Sequence, residues 1–194
     1  AAAWCNSTGN QLISKETAGG KSVVVIEKGE PKSCNIVTSC EGKGKTFIMF
    51  SDDLDKALAT FVLANGAAAT GQKVTIFFTF WGLNVIKKLH KPNVEKDIFG
   101  KMFGMMLPSS SRKLKLSKMS MGGIGGKMMR YIMNRKGIDS LESLRQQALE
   151  NGVEFIACQM SMDVMGVKQE ELLDEVTIGG VATYMERADN ANIN

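Results

Sequence analysis

From residue 44 to residue 194, short apolar runs alternate with stretches of helical length, and that alternation leaves few folds open. Residues 74–80 (Val-Thr-Ile-Phe-Phe-Thr-Phe) are the strongest strand signal, dense in β-branched and aromatic side chains. Residues 46–50 and 153–157 read as two further buried strands, and 176–178 as a short fourth one ending at Gly179-Gly180. Between them, Asp52-Asp53 offer acidic caps to a helix over 54–70, with Leu54, Leu58, Phe61, Val62 and Ala69 on its inner side and Gly71 closing it. Further helices are expected over 82–89, over 139–151 behind a cap at Asp139, over 168–175, and from Val181 onward. Strands separated by helices pair in parallel and are covered on both faces. The expected fold class is a three-layer α/β sandwich with a mainly parallel sheet.

Ahead of this domain, residues 22–27 read as a strand, and residues 4–13 as a short helix broken near Gly9. Residues 31–43 turn polar and small, the composition of a linker. The chain opens Ala1-Ala2-Ala3-Trp4, without the basic start and apolar run of a secretion signal, and no apolar stretch is long enough to span a membrane. Four cysteines in 194 residues are too few for a disulfide scaffold, and a reducing, cytoplasmic setting fits them. Cys34 and Cys40 are not at zinc half-site spacing and the chain holds one histidine, His90, so no metal site is expected.

The net charge of +4 conceals an asymmetry. Residues 98–136 carry nine basic residues, no acidic one and eight of the 13 methionines, while the rest of the chain is net acidic. Met128, Met129, Ile132 and Met133 can share a helical face among Lys127, Arg130 and Arg135. Three readings compete: a lid over the strand ends, a partner-docking surface, and a peripheral membrane element. Interrupting glycines and the lack of tryptophan rank the membrane third, and sparse aromatic residues argue against nucleic acid. Gly122-Gly123-Ile124-Gly125-Gly126 reads as a flexible hinge. Gly44-Lys45-Thr46 imitates the end of a phosphate loop, but Ser39 stands where that loop needs glycine, and the tripeptide precedes a strand instead of following one.

Parallel α/β sheets gather ligands and reactive groups beyond the carboxyl ends of their strands. Three expected strand ends carry Ser51-Asp52-Asp53, Phe80-Trp81-Gly82 and Cys158-Gln159-Met160-Ser161. Cys158 is thus the candidate nucleophile, because a helix N-terminus beside a thiol favours the thiolate. A space-filling cysteine is the competing reading. Asp52, Trp81 and Met160 are the candidate pocket residues.

The run Phe155-Ile156-Ala157-Cys158-Gln159-Met160-Ser161-Met162-Asp163-Val164-Met165-Gly166 resembles the DsrE/DsrF-like family, as do Glu170-Glu171-Leu172 and the stretch from Val176 to Tyr184. Phe47-Ile48-Met49-Phe50 with Ser51-Asp52-Asp53, and Phe78-Thr79-Phe80-Trp81-Gly82-Leu83, look like its peroxiredoxin- and CoA-disulfide-reductase-associated branch. The resemblance covers 44–194. Residues 1–30, through Ala3-Trp4-Cys5, Thr8-Gly9-Asn10 and the strand at 22–27, look like the C-terminal half of a TusA-like sulfur carrier, without that pattern's Cys-Pro motif. Either the chain is a piece of a longer fusion or this segment is a vestige. What the resemblance implies is a homo-oligomeric sulfur-relay protein, a sulfurtransferase or carrier holding sulfane sulfur as a persulfide on Cys158. Its implied partners are sulfur donor and acceptor proteins or low-molecular-weight thiols. The chemistry parallels thiol–disulfide exchange and needs no metal or organic cofactor. The alternative is a non-catalytic module that docks a partner or membrane through 98–136.

Overall fold

The computed structural model describes residues 11–18, 21–27, 44–90, 92, 94, 100, 102, 104 and 106–193. The chain divides into two compact units, Ala1–Glu41 and Gly42–Asn194. In the first, β1 (Gln11–Ala18) and β2 (Lys21–Glu27) pair antiparallel, with a register irregularity between Leu12 and Ser14. The helix expected over 4–13 is therefore strand at residues 11–13, and its remainder lies outside the described residues. The β-branched run Val23-Val24-Val25-Ile26 is a strand template, and the segment before it pairs along it.

The second unit is built on a five-stranded, wholly parallel sheet in the order β6-β5-β4-β3-β7. Its strands are β3 (Gly44–Met49), β4 (Val74–Phe78), β5 (Glu154–Cys158), β6 (Thr177–Gly179) and β7 (Ala191–Ile193). The helices are α1 (Leu54–Ala69), α2 (Ile124–Arg135), α3 (Leu141–Glu150), α4 (Gln159–Met165) and α5 (Val181–Asp189). All five residues of the central β4 are buried, as a strand covered on both faces requires. On one face α1 and α3 close the main core, where Phe61, Phe78 and Phe155 meet with ring centroids 5.3–6.4 Å apart. Such tilted and edge-on aromatic contacts add about 0.5–1.5 kcal/mol each beyond burial. The other face is covered by α5, through Tyr184. The three-layer α/β sandwich expected from the alternation is the fold.

Several elements differ from expectation. On α1 the buried set is Leu54, Ala57, Phe61 and Ala64, whereas Val62 and Ala69 face solvent. Ser140, not Asp139, caps α3, its side chain accepting from the Ser143 amide at 3.1 Å. The helices expected over 82–89 and 168–175 are tight 3₁₀ turns, at Phe80–Ile86 and Gln169–Glu171. Leu172 makes an antiparallel bridge to Lys87 and the Leu173 amide donates to Ile86, and this pairing draws both segments out of helix. Of the glycines expected to form a hinge, Gly122 and Gly123 lie in open space with positive φ, whereas Gly125 and Gly126 are buried: a Cβ on Gly125 would lie 2.1 Å from the Met119 carbonyl oxygen, so α2 begins pressed against the loop before it.

Candidate functional site

Cys158 is the last residue of β5 and the N-cap of α4. Side chains alternate along β5: Phe155 and Ala157 enter the core under α1 and α3, while Ile156 and Cys158 face α5. There Cys158 packs with Phe77, Ile156 and Tyr184 and is only 2% exposed. The Tyr184 ring lies 5.1 Å from that of Phe77, and its hydroxyl is 3.4 Å from Thr46 Oγ1. One turn further along α5, Arg187 Nε donates to Glu154 Oε2 at 2.9 Å, and Thr75 Oγ1 donates to the same oxygen at 2.8 Å. The thiol thus sits under a helix pinned at two levels to the strands beside it.

Burial disfavours the Glu154 carboxylate, but hydrogen bonds from Arg187 and Thr75 outweigh it and hold the group below its ordinary 4.5. A carboxyl depressed in the folded state stabilises the fold above its unfolded pKa, and that contribution disappears as pH falls through the folded value. Glu154→Gln is therefore expected to lower the urea midpoint at pH 7, with the gap from wild type closing below about pH 4. A gap that persists unchanged at pH 3 assigns the loss to packing instead of charge.

The tips of β3 and β4 form a separate feature. Asp52 accepts from Asn84 Nδ2 at 3.0 Å, and Asn84 is fully buried with its Oδ1 unpaired among the described residues. Asp53 sits at the N-cap of α1, but its carboxylate pairs with Lys56 at 2.6 Å and accepts from Ser51 at 2.7 Å instead of capping the helix. Asp52 and Trp81 line an open cavity of about 610 Å³ with Met106, Pro108, Lys113 and Lys115. Neither Cys158 nor Met160 is in its wall, and Met160 is exposed on α4. A 2.8 Å hydrogen bond between Thr79 and Ser161 links the end of β4 to α4. Of the four candidate residues, then, two share a cavity and the other two stand apart from it. His90 is exposed, as expected.

The described part of 98–136 packs on the α1 and α3 face. Leu107 and Leu114 enter the main core, Lys115 O accepts from the Leu54 amide at 2.7 Å, and Ser117 binds Asp55. No described residue of the segment belongs to the cluster around Cys158. As a lid it would cover the Asp52–Trp81 cavity, not the thiol.

Sequence reasoning passed over Arg145, which is buried on α3 and donates to the carbonyls of Val85 and Lys87 at 2.7 and 3.3 Å. It holds the end of the turn that carries Trp81 and Asn84. Burial lowers its pKa, against the attraction of Glu142 and Glu175. The available signal was an arginine beside Leu144 on the apolar stripe Leu141-Leu144-Ala148. Among the described residues no three His, Cys, Asp or Glu side chains gather as a metal site, and no helix is long and apolar enough to cross a membrane.

Residues 42–194 match the DsrE/DsrF/DrsH-like family. The chain is 43% identical over 152 residues to the uncharacterized protein YrkE of Bacillus subtilis, covering 78% of this chain and 95% of that one. It is 38% identical over 157 residues to the sulfur carrier protein DsrE2 of Allochromatium vinosum, covering 79% and 97%. The crystal structure of the ychN protein from E. coli aligns with a TM-score of 0.44 at 10% identity, over 77% of this chain and 96% of that one. With its family match spanning the whole second unit, the chain belongs to the DsrE/DsrF/DrsH-like family.

Proposed function

We propose that this protein is a sulfur-relay protein that carries sulfane sulfur as a persulfide on Cys158. The observation behind the choice of residue is its position at the carboxyl end of β5, inside the parallel sheet, where α/β folds hold their reactive groups. The 38% identity to a protein named as a sulfur carrier supports the class of activity. In the loading step the Cys158 thiolate attacks the outer sulfur of a donor persulfide. A new S–S bond forms on Cys158, the donor's S–S bond breaks, and the donor leaves as a thiolate that takes up a proton. An acceptor thiolate then removes the terminal sulfur in the same way, so the two steps involve no net oxidation. Because the thiol is buried under Tyr184, α5 has to lift for either step. The partners are sulfur donor and acceptor proteins or low-molecular-weight thiols, acting on a homo-oligomer whose mass sedimentation would read.

Incubation with a persulfide donor followed by peptide mass spectrometry is expected to find one added sulfur on the Cys158 peptide. Cys158→Ser should abolish that uptake. If the variant gains sulfur at the wild-type level, the carrier residue is another cysteine and the assignment fails.

The dense packing of Cys158 favours a second reading, a non-catalytic docking module. Ile124, Met128 and Tyr131 on α2 are exposed at helical spacing beside Lys127 and Arg135, and would be its contact surface. A Cys158 that stays unmodified by the persulfide donor selects this reading.

A further inference from the structure

Five of the nine basic residues of 98–136 line two adjoining hollows. The 610 Å³ cavity beside Asp52 and Trp81 shares Lys113 and Lys115 with a second one of about 200 Å³, whose wall adds Arg112, Lys127 and Arg130. Arg130 is engaged, at 3.3 Å from Glu142 and 3.0 Å from the Ser111 carbonyl oxygen. The side chains of Arg112, Lys113, Lys115 and Lys127 have no hydrogen-bond or ion-pair partner among the described residues. Among the described residues Asp52 is the one carboxylate in either wall, and Asn84 already holds it. Like charges drawn together without an ion-pair partner repel, and a bound anion reduces that cost.

The distribution of the cations says what kind of anion fits. They line two hollows in succession, so the matching ligand carries several negative groups in a row. The larger hollow also has an apolar side formed by Trp81, Met106, Leu107 and Pro108, and Trp81 is 48% exposed. An indole face open to a cavity stacks on a flat ring, with a gain of about 1–3 kcal/mol for nucleobases. The larger volume falls within the roughly 300–1,000 Å³ typical of small-ligand sites.

We propose that the two hollows together bind a small polyanion bearing a flat ring, of the nucleoside polyphosphate class. The ring lies against Trp81, and the phosphates run along Lys113 and Lys115 toward Arg112 and Lys127. This site is independent of the sulfur-carrier reading, since Cys158 lines neither hollow.

The test uses the full chain at low ionic strength, with ADP, pyrophosphate and adenosine titrated in turn by calorimetry and tryptophan fluorescence. ADP is expected to saturate and to quench emission, with the quench missing in Trp81→Phe. Pyrophosphate should bind at least about tenfold more weakly without quenching, and adenosine more weakly still. Lys113→Ala with Lys115→Ala should weaken ADP by at least about tenfold while circular dichroism stays unchanged, and raising salt should weaken it as well. The proposal is overturned if ADP shows no saturable binding up to about 1 mM. It is equally overturned if the double replacement leaves ADP affinity intact, or if pyrophosphate matches ADP.

Discussion

Tyr184→Ala is expected to raise the rate at which Cys158 reacts with a small disulfide reagent by at least about a hundredfold. In the folded protein the thiol is buried beneath this ring, so labelling waits on local opening of α5. Truncating a buried aromatic side chain costs about 3–5 kcal/mol, and each 1.4 kcal/mol multiplies an opening equilibrium by ten. The whole loss falls on α5, because Tyr184 is its single buried side chain. The measurement is clean in a background with Cys5, Cys34 and Cys40 replaced by serine, under conditions where circular dichroism reports a folded chain. Tyr184→Phe keeps the ring and gives up only the 3.4 Å contact with Thr46, so its effect should stay below about tenfold. If Tyr184→Ala labels as slowly as its parent, α5 is not the barrier in front of the thiol.

Gly82→Ala is expected to remove at least about 3 kcal/mol of stability, a large share of the roughly 5–15 kcal/mol typical of a domain. An added Cβ would lie 1.9 Å from the Met49 carbonyl oxygen and 2.6 Å from its carbon. That oxygen cannot simply swing away, because it accepts from the Thr79 amide at 3.0 Å where the tips of β3 and β4 are joined. Relief must therefore come from moving the Phe80–Ile86 turn, which carries Trp81 and Asn84. Urea unfolding reads the loss, and Trp81 emission reads the displacement. A variant within about 1 kcal/mol of wild type would show that the turn yields at little cost.

The alternation of apolar runs was sufficient to read the layers and the parallel sheet, since β4 is buried at every position and only a central strand needs such a run. Local signals failed where long-range pairing decided the outcome. Residues 168–175 have helical composition, yet Leu172 and Leu173 bond back to Lys87 and Ile86, some 85 residues earlier. Val62 and Leu63 are as apolar as the buried Phe61, and only the azimuth of α1 on the sheet separates them. For the site, the placement of Cys158 at a strand end was legible because the strand run leads directly into it. Its burial was not, because the cover is a tyrosine on a later helix. The Asp52–Trp81 cavity was legible at its strand-tip side, while Lys113 and Lys115 reach it by the path of a segment with no strong periodicity.

The sheet ends on either side in a strand of three residues, β6 and β7. Exposed edges recruit strands from other chains, and a three-residue edge offers too few free amides and carbonyls to do so well. Lateral growth of the sheet into fibrils is therefore discouraged at both borders. Association at the borders of this sheet is left to side chains and helix faces, where specificity is easier to enforce than along bare backbone.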